Sequence, residues 1–330
     1  KGLDFLDQQD GSDDPFCLYM ATNVIHGPEH SANILDLDPR VTYAGLLDEA
    51  PDTPMPARHT LVERFRSAGL EPHHRNVGML WLDDAVGALL DKLEAAGELE
   101  NTIVVYKADH GVIGKWSCFD DGTRVPHLWR LPGGTNAGGL CRQRVQNIDF
   151  LPTLAELCDV QLPADMQIDG RSYAAQLQGS QTPVHESTFT EMGYQRSLRT
   201  DRYKLILNYQ HPELIRRMKA GDVDQAANTQ GRFSIDRGDQ EHAAAYDPEQ
   251  LYDLRTDPEE QLNLAGRPEY ADILADIKAR LHRLLDTFER PYPTEPDPYL
   301  LSDDYRALVC STRQTKHCYD IGPWYPEGWF

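Results

Sequence analysis

The run Thr102-Ile103-Val104-Val105-Tyr106 leads straight to Asp109, His110 and, a few residues on, Lys115. A short β-branched stretch bounded by polar turn residues reads as a buried strand. In open α/β sheets the ligand crevice lies beyond the carboxyl ends of the strands, so a carboxylate, an imidazole and an ammonium placed there point to chemistry on an anion. The flanking pattern agrees with an α/β fold. From 76 to 96 the apolar residues Met79, Leu82, Val86, Leu89, Leu90 and Leu93 recur at helical spacing, which predicts a helix with one face on a sheet. Leu128-Trp129-Arg130-Leu131 predicts the next strand, and Pro132-Gly133-Gly134 ends it. Strand and helix in alternation imply a sheet covered by helices.

Elsewhere the pattern predicts a helix end over 1–9, a strand over 15–21, and a proline-rich connection over 29–72 holding one short helix near 57–68. Near residue 180 the texture changes. Glu186 to Met192 and Arg196 to Tyr209 read as antiparallel strands, with Thr200-Asp201-Arg202 as a hairpin signal. Residues 210–248 are polar and poor in aliphatics, which predicts an inserted loop with short helices. Pro268 to Arg290 carries Ile273, Ile277, Leu281 and Leu284 on one stripe, an amphipathic helix. The tail 291–330, rich in Pro, Tyr and Trp, has no period and is expected to drape over the body. The expected division is 1–180, an α/β domain, and 181–330, a smaller subdomain.

Four segments in order give the chain a family likeness. Residues 101–126, NTIVVYKADHGVIGKWSCFDDGTRVP, resemble the second signature of the type I sulfatases of the alkaline phosphatase superfamily: a strand ending in Asp-His-Gly, a lysine, then Arg-Val-Pro. Residues 15–28, PFCLYMATNVIHGP, are similar to the strand before that family's active-site histidine. Residues 146–173 resemble its Asp-x-x-Pro-Thr helix followed by Asp-Gly-x-Ser, and 250–264, QLYDLRTDPEEQLNL, its Leu-Tyr-Asp-Leu element. The resemblance implies a central, mostly parallel or mixed sheet sandwiched by helices, with a smaller C-terminal subdomain of antiparallel strands and a helix. It also implies a calcium-dependent hydrolase of sulfate esters, on a sulfated carbohydrate, whose nucleophile is a formylglycine made from the cysteine of a Cys-x-Pro-x-Arg motif. None of Cys17, Cys118, Cys141, Cys158, Cys310 and Cys318 is followed by Pro-x-Arg, and no serine is either. The expectation is therefore the C-terminal part of such an enzyme, with the nucleophile outside this stretch. Without that part the 102–106 strand leaves an open edge, so the preceding segment or a second copy of the chain is the expected partner.

Carried over residue by residue, the resemblance assigns Asp109 to a hard divalent cation, which takes carboxylate oxygens. His110 is left with two roles: beside the metal, or hydrogen-bonded to the sulfate or a neighbouring acid, since nitrogen suits calcium poorly. Lys115 matches the lysine on the sulfate ester, where an ammonium offsets developing charge. His26 matches the histidine that protonates the leaving alcohol, a task for which imidazole has a suitable pKa. Asn23 stands where relatives carry another histidine, and Arg199 is a further substrate-binding candidate. Trp116, His127 and Lys204 lie near the motifs without an assigned role, Arg124 is expected to pin the Arg-Val-Pro turn, and Trp324, Tyr325 and Trp329 either stack on sugar rings or serve as packing anchors.

A formal net charge of −21 argues against a nucleic-acid partner and requires a local basic pocket for any sulfated substrate. No stretch approaches the ~18 apolar residues of a membrane span. Six cysteines are too few for a disulfide framework; Cys310 and Cys318 either pair or stay free. Family habit favours an exported enzyme, periplasmic or extracellular. Two rivals stay open: a phosphoester or phosphonate hydrolase of the same superfamily, and a non-catalytic module that binds sugar sulfates.

Overall fold

The computed structural model describes residues 1–22, 38–42, 45–72, 74–111, 114, 117–134, 136–220, 242–289 and 294. The chain divides into two compact units, one of residues 1–104 with 130–135, the other of residues 105–129 with 136–330.

In the first unit, α1 (Gly2–Gln9) and α2 (Leu61–Ser67) both pack on α3 (His74–Ala95). A two-residue hairpin, β1 (Val41–Thr42) with β2 (Gly45–Leu46), precedes α2. The apolar period of α3 has its physical origin here: Val77, Leu82 and Leu93 are buried, and Leu89 lies against Gly2 of α1. Met79, expected on the same face, is exposed. Arg64 of α2 makes two hydrogen bonds to the Asp84 carboxylate, at 2.6 and 2.8 Å, which fixes α2 against α3. Residues 15–21 form no strand. Tyr19 is 87% exposed and the segment has no ladder partner among the described residues, so its strand propensity finds nothing to pair with.

The strand that ends at the Asp-His-Gly turn is β3 (Val104–Lys107), paired with β4 (His127–Arg130). Each residue of β3 is half-buried, not fully buried as expected. Between the two strands lies the short helix α4 (Asp120–Thr123). Downstream come α5 (Phe150–Leu157), which is the Asp-x-x-Pro-Thr helix, and the single turn α6 (Ala174–Leu177).

Four antiparallel strands in sequence order build the second unit's main sheet: β5 (Thr188–Met192), β6 (Gln195–Arg199), β7 (Tyr203–Asn208) and β8 (Glu249–Asp253). The hairpin at 200–202 is where its residues predicted it. The helix α7 (Pro212–Lys219) begins the connection from β7 to β8, and β8, not anticipated as a strand, is the Leu-Tyr-Asp-Leu motif itself. The central strands are buried on both faces, so they read as near-continuous buried runs and not as alternations. Period two still sorts their side chains. Leu198, Leu205, Leu207 and Leu251 pack with Ile277, Leu281 and Leu285 of α8 (Ala271–Leu285), while Tyr194, Ile206 and Tyr252 pack with Cys118, Phe119 and Ala245. The second cluster ties the sheet to the segment that follows the Asp-His-Gly turn. The tail's expected draping falls outside the described residues. Among those residues no helix is long and apolar enough to cross a membrane.

Candidate active site

Asp109 and His110 stand together immediately beyond β3. The Asp109 side chain is 85% exposed; its Oδ1 accepts the His110 amide at 2.9 Å, and its Oδ2 lies 3.3 Å from His110 Nε2. His110 Nδ1 is 2.8 Å from the Gly111 carbonyl oxygen. A carbonyl only accepts, so Nδ1 carries the proton, and Nε2 of a neutral ring turns its lone pair toward the carboxylate. The arrangement fits a cation on Asp109, whose exposed oxygens are hard ligands. It would supply only part of a coordination shell: among the described residues no cluster of three or more His, Cys, Asp or Glu forms a metal site.

The turn is held in place by contact too close for side chains. The Gly111 amide donates to the Gly122 carbonyl at 2.9 Å, and a Cβ on Gly111 would lie 1.7 Å from the Asp121 carbonyl oxygen. Gly114, at φ +47°, would place a Cβ 1.9 Å from Asp121 Oδ1, and one on Gly122 would lie 2.1 Å from the Gly114 carbonyl oxygen. Only glycine permits this stack: the close approach excludes a side chain at all three positions, and at Gly114 the backbone angle does so as well. Ser117 seals the bend, its hydroxyl donating to the Gly114 carbonyl at 2.7 Å.

The far side of α4 meets a buried polar cluster. Lys204 Nζ lies 2.8 Å from Asp120 Oδ1 and 2.6 Å from Glu260 Oε1; Lys204 and Glu260 are 2% and 1% exposed. Glu260 Oε2 accepts the Asp120 amide at 2.6 Å, and Arg199 Nη2 stands 3.3 Å from Asp120 Oδ2. Burial works to raise the Asp120 pKa, but the charges of Lys204 and Arg199 outweigh it and hold the carboxyl below its usual range. For Glu260 burial wins, and its carboxyl is raised. Beside this cluster His242 stacks on Phe119 at 3.7 Å and sets Nε2 3.1 Å from Asp121 Oδ2.

The other family-like segments are joinery. Asp149 is wholly buried and accepts from the amides of Gln146 (2.6 Å) and Arg171 (2.8 Å), with His185 Nε2 at 2.8 Å. The Thr153 hydroxyl donates to the Asp149 carbonyl at 2.6 Å and accepts the Tyr173 amide at 3.0 Å, so Asp-x-x-Pro-Thr and Asp-Gly-x-Ser are two halves of one knot. In the 250–264 element the Asn263 side chain accepts the Leu251 amide at 3.0 Å, which folds the Asp-Pro turn back on β8 and brings Glu260 to Lys204.

Of the residues singled out in the sequence, Asp109 and His110 are side by side, and Arg199 reaches the helix that closes their turn. Asn23, His26 and Lys115 lie outside the described residues, as do Trp116 and the tail aromatics. His127 accepts from the Trp129 indole at 2.8 Å and belongs to an aromatic group with Phe150 and Tyr173. Lys204 carried no assignment, and Asp120 and Glu260 were passed over. Their one visible signal is a lysine inside a strand otherwise built of buried residues, which demands buried carboxylates.

Residues 1–160 match the family model described as Sulfatase, and residues 108–221 match N-sulphoglucosamine sulphohydrolase, C-terminal. The chain is similar to an ulvan-active sulfatase of Formosa agariphila, 34% identical over 185 residues, covering 53% of this chain and 35% of that protein. Among solved structures it is similar to one from a study of glycosaminoglycan metabolism by Bacteroides thetaiotaomicron, with a TM-score of 0.58, 19% identity and coverage of 86% and 52% of the two chains. Another, in complex with its substrate D-glucosamine-2-N,6-O-disulfate, gives a TM-score of 0.52 at 21% identity, over 84% and 56%. The chain thus spans about a third of the ulvan-active relative and about half of each solved neighbour.

Proposed function

Because this chain belongs to the type I sulfatase family of the alkaline phosphatase superfamily, we propose that it forms part of an enzyme that hydrolyses sulfate esters of a carbohydrate. The observation that carries the reading is the Asp109-His110 pair, with exposed carboxylate oxygens and an imidazole nitrogen turned to one point at the end of a strand. The names of relatives that act on ulvan, and of a neighbour bound to a glucosamine disulfate, support the carbohydrate.

Asp109 would hold a calcium ion, with His110 beside it. When bound, the metal would supply Lewis-acid polarisation of the sulfate oxygens, and a formylglycine from outside this stretch the nucleophile. What the chain itself contributes is charge and protons. By its place in the motif, Lys115 offsets the negative charge that grows on the bridging oxygen as the ester bond breaks. His26 delivers a proton to that oxygen, so the sugar leaves as an alcohol and not as an alkoxide. Asn23 and Arg199 are assigned to the sugar, Arg199 with its remaining guanidinium donors beyond the one that faces Asp120.

The test uses the full-length protein that contains this chain, incubated with aryl sulfate, aryl phosphate and sulfated oligosaccharides with and without a calcium chelator. Sulfate release that falls with the chelator is expected. Faster release of phosphate would move the assignment to the phosphoester and phosphonate hydrolases. Sugar-sulfate binding with no release of either anion would make the chain a binding module.

A further inference from the structure

We infer that Lys204 is a positioning residue for the Asp109-His110 turn, acting through Asp120, Glu260 and the glycines that stack behind the turn; this rests on the functional reading above. The strand register already places Lys204 on the working side of the sheet. It shares a face with Ile206, which packs in the cluster with Cys118 and Phe119, whereas Leu205 and Leu207 face α8. Its ammonium therefore enters the interior beside α4, and at 2% exposure it is cut off from water.

Two carboxylates meet it there, and each is specifically placed. Asp120 begins α4, while Glu260 comes from the turn after β8 and adopts φ +55°, a conformation that residues with a side chain rarely take. An outlier of this kind persists where the surroundings over-determine it. Glu260 uses one oxygen for Lys204 and the other for the Asp120 amide, so a single side chain fixes both the charge and the backbone at the start of α4. Arg199 adds the second cation, and the group of two cations and two carboxylates balances.

Replacing a buried ion pair with apolar residues of like volume often costs no stability, because burying charges costs about as much as their pairing returns. What ionic contacts add is direction. Asp120 is fixed from two strands and a turn, and the next two residues, Asp121 and Gly122, are the ones against which Gly111 and Gly114 have no spare room. The path from Lys204 through Asp120, Asp121 and Gly122 to Gly111 consists of hydrogen bonds and hard contacts, and close-packed interiors pass displacement along instead of absorbing it. Movement at Asp120 is movement at His110.

The experiment measures the full-length enzyme with Lys204→Met, which keeps the stem and removes the charge. The expected result is a fall in kcat on an aryl sulfate of about a hundredfold, the scale of a misplacement near 1 Å, with KM little changed. Hydrogen exchange read by mass spectrometry should quicken in the amides of 109–122 while those of β5 and β8 stay as in the parent. Should Lys204→Met not fold, Glu260→Gln replaces it, with the same local exchange signature and a fall of about tenfold. Parent-like kcat with parent-like exchange over 109–122 would overturn the inference, and so would exchange that quickens evenly through β5 to β8, the mark of a merely structural lysine. A parent enzyme that releases no sulfate would overturn the functional reading instead; the exchange pattern would still decide the role of Lys204.

Discussion

His185 Nε2 lies 2.8 Å from Asp149 Oδ2, and the aspartate has no solvent exposure. The carboxylate also caps two amides, those of Gln146 and Arg171, so its removal strands three donors at once. Asp149→Ala is expected to lower stability by about 3–5 kcal/mol, as when one partner of a buried pair is deleted. Denaturant melts of the full-length protein check this; a loss below 1 kcal/mol would show that the knot between the two motifs is dispensable.

Two glycines should respond in opposite directions. Gly111→Ala forces a Cβ onto the Asp121 carbonyl oxygen and is expected to cost on the order of 3 kcal/mol and to abolish turnover. Gly87→Ala, within α3 and with open space around its Cβ, should raise stability by about 0.5–1 kcal/mol, the propensity difference between the two residues in a helix. Thermal melts of both variants decide it, and equal effects would contradict the close stack behind the turn.

The pKa of His242 lies above its usual 6.5: burial acts to lower it, and hydrogen bonds to the Asp121 carboxylate and the Glu260 carbonyl, with the attraction of the acids, outweigh that. A folded pKa above the unfolded one means that the stabilisation is complete below pH 6.5 and is lost as pH rises through the higher folded value. Stability measured by denaturant at a series of pH values should fall over that interval, and His242→Gln should flatten the fall. An identical profile in the variant would remove His242 as its source.

The cysteines should separate cleanly by reactivity. Cys118 is buried beside Phe119, and burial pushes its thiol up to about 12, so almost no thiolate exists at neutral pH. Cys17, Cys141 and Cys158 are exposed and free. Alkylation of the native protein followed by peptide mapping should label those three and spare Cys118 until denaturant is added. Early labelling of Cys118 would mean that the segment after the turn opens readily.

Local signals carried the sequence reading a long way. The β-branched run before Asp109, the period of α3 and the stripe of α8 each depend on neighbours in the chain, and each element formed within a few residues of its expected bounds. The segment at 15–21 failed because a strand is a property of a pair, and its own composition says nothing about a partner. β8 was missed for the complementary reason: Leu-Tyr-Asp-Leu was legible as a motif, yet its ladder is made with β7 across a long polar connection. The nearness of Asp109 and His110 in the candidate site was legible because both adjoin the strand. Lys204 and Glu260 were not, because their meaning arises only when residues far apart in sequence share one dry pocket.

Residues 209–248 leave the sheet at the end of β7 and return to it at the start of β8, which still takes its place as the next strand in order. Closing a longer loop costs little, about 0.6 kcal/mol for each doubling of its length. Within a lineage, the part of that connection between α7 and His242 can therefore grow or shrink without re-registering a single strand pair, while Ile215, His242, Ala245 and Tyr246 stay packed beside Phe119. Variation can collect there while the ionic cluster of Lys204, Asp120 and Glu260 stays fixed behind the Asp109-His110 turn.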